Sequence, residues 1–151
     1  MDKIEIREIL EKNNDNTNDN FNIKDKEPKY IIKYYKASIW CSTVLKDGRF
    51  VTGSNDGLIK IYNNNTFILD LIIKAYNSSV TNIIQLSSGE LVSCSYDNTI
   101  KILSSKYKVI QILKYHTNWV YKIIELKNEQ LVSCSLDKSI IFYKKINNKY
   151  I

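Results

Sequence analysis

Leu91–Leu103 reads LVSCSYDNTIKIL, and Leu131–Tyr143 reads LVSCSLDKSIIFY. A third stretch, FVTGSNDGLIKIY at Phe50–Tyr62, aligns with both on a shared aspartate. The aspartates are Asp56, Asp97 and Asp137, spaced by 41 and then 40 residues. A fixed period of that size, met three times, marks a repeat architecture. Each stretch follows a second matching run: IWCSTVL at Ile39–Leu45, VTNIIQL at Val80–Leu86 and VYKIIEL at Val120–Leu126. The turn segments KDG, SSG and KNEQ separate the two runs of each pair.

Inside the period the pattern is β. The runs are short, rich in Ile, Val, Thr and Tyr, and bounded by Gly, Asn, Asp and Ser. Each unit of about 40 residues reads as four strands. In the second unit they are a (Val80–Leu86), b (Leu91–Ser95), c (Thr99–Leu103) and d (Lys108–Leu113). Alternation along strand c puts Ile59 with Ile61, and Ile100 with Ile102, on one face. Each aspartate falls in the tight b–c turn, where a carboxylate can accept backbone N–H bonds.

These residues resemble the WD-repeat (β-transducin-like) family. The family's unit opens with Gly-His before strand a and closes with Trp-Asp after strand c. Tyr115-His116 stands at the first position in the last repeat; Tyr76 and Tyr35 stand in place of the histidine in the earlier two. Tyr62, Leu103 and Tyr143 occupy the tryptophan position, so the closing dipeptide is degenerate. The S-x-D core is kept throughout, with Ser54, Ser95 and Ser135 beside the aspartates. The resemblance covers residues 30–151 and implies an all-β fold. It would be a partial β-propeller of three four-stranded antiparallel blades in an open arc, with repeats near 36–73, 74–113 and 114–151. It also implies a structural hydrogen-bond network, expected here from His116, Ser133 or Ser135, Asp137 and Tyr143. Asp56 and Asp97 hold the corresponding turns in the earlier repeats, whose networks lack the histidine.

Composition narrows the function. The chain has 151 residues, 44% of them hydrophobic, enough for a core. Mean hydropathy is −0.29, and no run approaches the ~18 apolar residues of a membrane span. The opening MDKIEIREIL is interrupted by charge and does not read as a secretory signal. Cys41, Cys94, Cys134 and a single histidine are too few and too scattered for a zinc site. The cysteines read as small buried residues of a reduced, intracellular protein, most simply cytoplasmic, with the nucleus open. No metal or cofactor is expected.

Charge divides the chain. Residues 1–28 hold five basic and eight acidic residues, a net −3; residues 29–151 hold 17 basic and eight acidic, a net +9. Within the tail, 1–29, a short helix over 3–12 is expected from Ile4, Ile6, Ile9 and Leu10. The tract NNDNTNDNFN at 13–22 has little to bury and reads as disordered. The excess of lysine also suggests an alternative function, a basic surface binding nucleic acid or anionic lipid.

Cys134, His116 and Asp137 contain the residue types of a nucleophilic triad. Their register contradicts that use, because His116 and Asp137 sit at structural positions of the repeat. No catalytic residue is assigned. The favoured reading is a non-catalytic scaffold that binds a peptide or protein through its blade loops. In the family such partners lie on the face of the d–a and b–c loops. The matching positions are Ser38, Trp40 and Asn55; Ser79, Thr81 and Tyr96; and Trp119, Tyr121 and Leu136. Propellers have about four to eight blades, so three cannot close a ring. Residues 30–35, YIIKYY, read as an orphan strand d, paired to the first blade's neighbour or left at an edge, while 146–151 offer only a short polar strand d for the last. The chain is therefore expected to be part of a larger propeller, or to pair with a second copy.

Overall fold

A computed structural model of the chain describes residues 5–8, 30–33 and 37–151. The chain divides into two compact units, Met1–Tyr35 and Lys36–Ile151. In the smaller, β1 (Glu5–Glu8) pairs antiparallel with β2 (Tyr30–Lys33), from Glu5 opposite Lys33 to Glu8 opposite Tyr30. One expectation is corrected here. Part of the stretch read as a helix is a strand, because an isolated helix that short is marginal in water while extended backbone gains ladder bonds from a partner. Strand Tyr30–Lys33, read as an orphan strand d, has β1 as its partner within the smaller unit. The Asn-rich tract at 13–22 lies outside the described residues.

The larger unit is all β. Its first sheet runs β3 (Ile39–Val44), β4 (Phe50–Ser54), β5 (Leu58–Tyr62), β6 (Leu69–Lys74). The second repeats that order with β7 (Val80–Gln85), β8 (Leu91–Ser95), β9 (Ile100–Leu103), β10 (Val109–Leu113). The third has β11 (Val120–Glu125), β12 (Leu131–Ser135) and β13 (Ile140–Tyr143). All pairings are antiparallel, and the sheets do not close into a ring. The result is a partial propeller.

The expected fourth strand of the third sheet is absent from the described residues. Where it would start, β14 (Lys145–Ile146) turns back on β15 (Lys149–Tyr150). Asn147 and Asn148 between them have φ of 49° and 61°. Positive φ at both central residues is what a two-residue type I′ hairpin turn requires, and asparagine tolerates it best after glycine. The hairpin hydrogen-bonds to the second sheet, while Tyr150 packs with residues of both the second and the third. Gln111 Nε2 donates to Tyr150 O at 2.6 Å, and Tyr150 N donates to Gln111 Oε1 at 2.9 Å.

Two apolar layers join the sheets. Val51, Ile59 and Ile61 of the first pack with Val80, Ile83, Leu91 and Leu103 of the second. Val92, Cys94, Ile100 and Ile102 on the other face of the second pack with Val120, Ile123, Leu131 and Tyr143 of the third. Strand β8 is therefore buried at all five residues, each of which faces one layer or the other. Gly53 stands where the other repeats have Cys94 and Cys134. A Cβ there would lie 2.7 Å from both Cys41 Sγ and Val80 Cγ1, so the Cys41 side chain already fills that space.

One irregularity recurs. The register of strand a shifts between Ile39 and Cys41, between Val80 and Asn82, and between Val120 and Lys122. The residue skipped by the ladder is Trp40, Thr81 or Tyr121. A bulge leaves its extra residue unpaired and re-aims the side chain, and these are three of the nine positions assigned to partner binding.

Candidate functional site

The b–c turns are built from short side chains folding back on the backbone. Asp56 Oδ1 accepts from Leu58 N at 3.1 Å and from Ser54 Oγ at 2.5 Å. Asp97 Oδ1 accepts from Thr99 N at 2.9 Å and Thr99 Oγ1 at 2.7 Å. Asp137 Oδ1 does the same with Ser139 N, 2.9 Å, and Ser139 Oγ, 2.6 Å. Ser95 and Ser135 accept from the N–H of the aspartate two residues on, each at 3.1 Å. The residue after each aspartate is left-handed: Gly57 at φ 79°, Asn98 at 71°, Lys138 at 70°.

The last repeat carries the whole network. His116 Nδ1 lies 2.7 Å from Asp137 Oδ2, and His116 Nε2 lies 2.6 Å from Ser133 Oγ. Ser133 Oγ continues to Tyr143 OH at 3.0 Å. Ser133 is thus the network serine. Ser135 instead serves the turn and donates to Asn118 O at 3.0 Å. Hydrogen bonds from Ser139 and the His116 ring hold the Asp137 carboxyl far below the usual carboxylate range, against a smaller opposing effect of desolvation. The order Ser–His–Asp matches a hydrolase triad in its contacts alone. Ser133 and His116 are both buried, and Ser133 Oγ is shared with a tyrosine hydroxyl, so the serine has no open side for a substrate. Cys134 takes no part in these bonds.

The second repeat solves the same problem without a histidine. Tyr76 takes its place, buried, with its hydroxyl donating to Ser93 O at 2.7 Å and lying 3.0 Å from Ser93 Oγ. Lys101 N donates to that hydroxyl at 3.1 Å, and the Lys101 ammonium sits 4.2 Å from the ring centroid. The longer reach of tyrosine bridges to Ser93 where Leu103 offers no donor. Sequence reasoning missed this network; the signal was that a tyrosine occupied the histidine register of a repeat whose tryptophan position had become leucine. Tyr35, its counterpart in the first repeat, lies outside the described residues.

The nine predicted positions form three triplets, one per repeat. In each, the backbone N–H of the residue before the aspartate donates to the loop residue before strand a. Asn55 N donates to Ser38 O at 3.0 Å, Tyr96 N to Ser79 O at 3.1 Å and Leu136 N to Trp119 O at 2.9 Å. The bulge residue completes each triplet. Across repeats, the aromatic members meet. Tyr96 and Trp119 stack at 4.3 Å between centroids, 16° from parallel. Trp40 approaches Tyr96 at 5.7 Å, and Tyr121 meets it edge-on at 6.2 Å. Trp40, Trp119 and Tyr121 keep 53%, 42% and 41% of their surface exposed, and Leu136 is exposed beside them. Ser38 and Asn55 are exposed too. Ser79 and Thr81 are otherwise engaged. Ser79 Oγ donates to Asn55 O at 3.5 Å, and Thr81 Oγ1 donates to Val120 O at 2.5 Å, tying the second sheet to the third. Asp56, exposed, and Asp97 and Asp137, half-buried, add negative charge to the same loops.

The cysteines are free. Burial pushes the Cys41 thiol up to about 11 and the Cys94 thiol up to about 12. Among the described residues no group of three or more His, Cys, Asp or Glu is placed to hold a metal ion, and no helix is long and apolar enough to cross a membrane.

The family described as "WD domain, G-beta repeat" matches residues 26–63 and 69–104. No curated protein matches the chain. Among solved structures, it is similar to the crystal structure of the WD40 beta propeller domain of Doa1. The TM-score is 0.70 and the identity 27%, over 78% of this chain and 40% of that one. The crystal structure of RRP9 WD40 repeats and the structure of U3-55K each give a TM-score of 0.70 at 20% identity, over 79% of this chain and 39% of theirs. At 20% identity these two speak for the fold alone. The chain spans about two-fifths of the length of the structures it matches.

Proposed function

The chain belongs to the WD-repeat family, and from that premise we propose that it is a non-catalytic interaction module that binds a peptide or protein on its bulge and loop face. One observation carries the reading: Trp40, Tyr96, Trp119 and Tyr121, drawn from all three repeats, meet in one partly exposed aromatic cluster. Exposed aromatic groups of this kind are the usual anchors of interfaces. Ladder pairing does not require a tryptophan or tyrosine at a bulge, whereas a partner does. The flanking Asp56, Asp97 and Asp137 favour an apolar or basic segment over one carrying phosphates. Trp40, Tyr96, Trp119, Tyr121 and Leu136 supply the contact area, with Ser38 and Asn55 at its rim. Ser79 and Thr81 hold the framework. We place this function in a reducing, intracellular setting, where three unpaired thiols are ordinary.

The test compares the full chain with a Trp40→Ala/Trp119→Ala/Tyr121→Ala variant in affinity capture followed by mass spectrometry. Titration calorimetry of the recovered partner comes next. The variant should lose the partner while its far-ultraviolet spectrum is unchanged. Capture of the same proteins by the variant, or unfolding of the variant, would sink the reading. If the basic surface binds nucleic acid or anionic lipid instead, binding will fall steeply with salt and survive the three substitutions.

A further inference from the structure

Both tryptophans of the chain, Trp40 and Trp119, stand in the aromatic cluster. An indole has one polar atom, Nε1, and its N–H only donates. Among the described residues nothing accepts from Trp40 Nε1 or Trp119 Nε1, and no bond engages the hydroxyl of Tyr96 or Tyr121. Elsewhere such groups are used within the fold. The Tyr76 hydroxyl donates to Ser93 O, the Tyr143 hydroxyl meets Ser133 Oγ, and the Tyr107 hydroxyl accepts from Arg49. The chain's cations are used in the same way. Arg49, Lys101 and Lys145 lie over the rings of Tyr107, Tyr76 and Tyr150. Among the described residues none lies over a ring of the cluster. The cluster thus offers apolar ring faces edged by unused hydrogen-bond donors.

Charge around these rings is balanced. Asp56, Asp97 and Asp137 stand in the b–c turns, and exposed Lys74, Lys114 and Lys138 stand at the same end of the sheets. Both oxygens of Asp137 are already engaged, by Ser139 on one side and by His116 and Thr117 on the other. The chain as a whole carries +6, which draws no cation toward it. The complementary ligand is therefore uncharged. It presents apolar bulk to the rings and carbonyls that lack partners of their own to the donors.

A polyproline II helix meets these requirements. It has no internal hydrogen bonds, so its carbonyls project free, and its pyrrolidine rings are apolar. It is also pre-formed, so little ordering entropy is lost on docking against aromatic side chains. The spacing agrees. Tyr96 lies 5.7 Å from Trp40 and 6.2 Å from Tyr121, and two residues of such a helix rise about 6 Å. An arginine side chain also stacks on indoles, but it brings five donors to a rim whose own tips donate. We infer that the partner presents a proline-rich segment to this face. Its rings lie on Trp40, Tyr96, Trp119 and Tyr121, and its carbonyls accept from the indole N–H groups and the tyrosine hydroxyls. The inference rests on the interaction reading above and adds the chemistry of the partner.

Because both tryptophans lie in the cluster, their emission reports on it directly. Titrating the full chain with end-blocked decaproline should give a saturable change in that emission. Decaproline should bind at least about 10-fold more tightly than an end-blocked Gly-Ser decapeptide, with little dependence on salt. Trp40→Phe and Trp119→Phe each keep a ring and remove a donor. Each should weaken decaproline about 2- to 10-fold in calorimetry, with an unchanged far-ultraviolet spectrum. Decaproline that binds no better than the Gly-Ser peptide overturns the inference. So does end-blocked deca-arginine that binds more tightly than decaproline, or phenylalanine variants that bind decaproline as the native chain does. The broader reading has a separate readout. If the triple alanine variant loses its captured partner while decaproline does not bind, the interaction face stands and only the proline assignment falls.

Discussion

Three equivalent turns differ at a single backbone position. Gly57, Asn98 and Lys138 all take positive φ, and only the glycine does so without steric cost. Lys138→Gly should raise stability by about 0.5–1 kcal/mol, since the relieved strain exceeds the added chain entropy. Glu129, at φ 61° in the a–b turn where Gly48 and Gly89 stand in the other repeats, should behave alike. Gly57→Ala should cost about 2 kcal/mol or more, because its Cβ would lie 2.2 Å from Tyr76 O as well as at the wrong φ. Urea midpoints settle all three; a stabilising Gly57→Ala would contradict the turn geometry. Protonation acts on the same turn in the last repeat. The Asp137 carboxyl is held below its unfolded value, so its contribution is complete above about pH 4 and declines as pH falls toward the folded pKa. The stability gap between the native chain and Asp137→Asn should therefore narrow in acid, and a gap independent of pH from 7 to 3 would refute this account.

At the level of strands, what the sequence revealed and what it hid have separable physical causes. In the second repeat strand b is placed to the residue, and a, c and d to within one, because Asp56, Asp97 and Asp137 fix the phase of three copies. The bulges at Trp40, Thr81 and Tyr121 were not legible, since a ladder that skips a residue has the same composition as one that does not. Knowing of them explains why one triplet member turns to the surface in two repeats and inward in the second. There Thr81 bonds Val120 O across sheets. Thr81→Val should cost about 1–2 kcal/mol, the penalty for leaving that carbonyl short of a donor. A neutral result in urea unfolding would mean that the third sheet is held by its apolar layer alone. The pairing of β1 with β2 and the β14–β15 hairpin were hidden for another reason. Neither pairing occurs in the other repeats, so no period could place them, and the Asn147-Asn148 turn signal is short.

Across the larger unit, stability is unequally shared because burial is. The second sheet is covered on both faces, by Val51, Ile59 and Ile61 on one side and by Val120, Ile123 and Leu131 on the other. The first and third each have one covered face in these two layers. In a stack whose members touch only their neighbours, the middle one opens last, since exposing it breaks two interfaces and exposing an end breaks one. Hydrogen exchange at neutral pH should therefore be slowest in β8, buried throughout, and faster in β12, where Val132, Cys134 and Ser135 are only half-buried. Sequence contributes little to the difference, for Leu91–Ser95 and Leu131–Ser135 are both LVSCS. Two identical pentapeptides in one chain make each the control for the other, since their intrinsic exchange rates match. Any ratio between them reports position alone. Equal protection would show that a partner covers the third sheet as fully as the second.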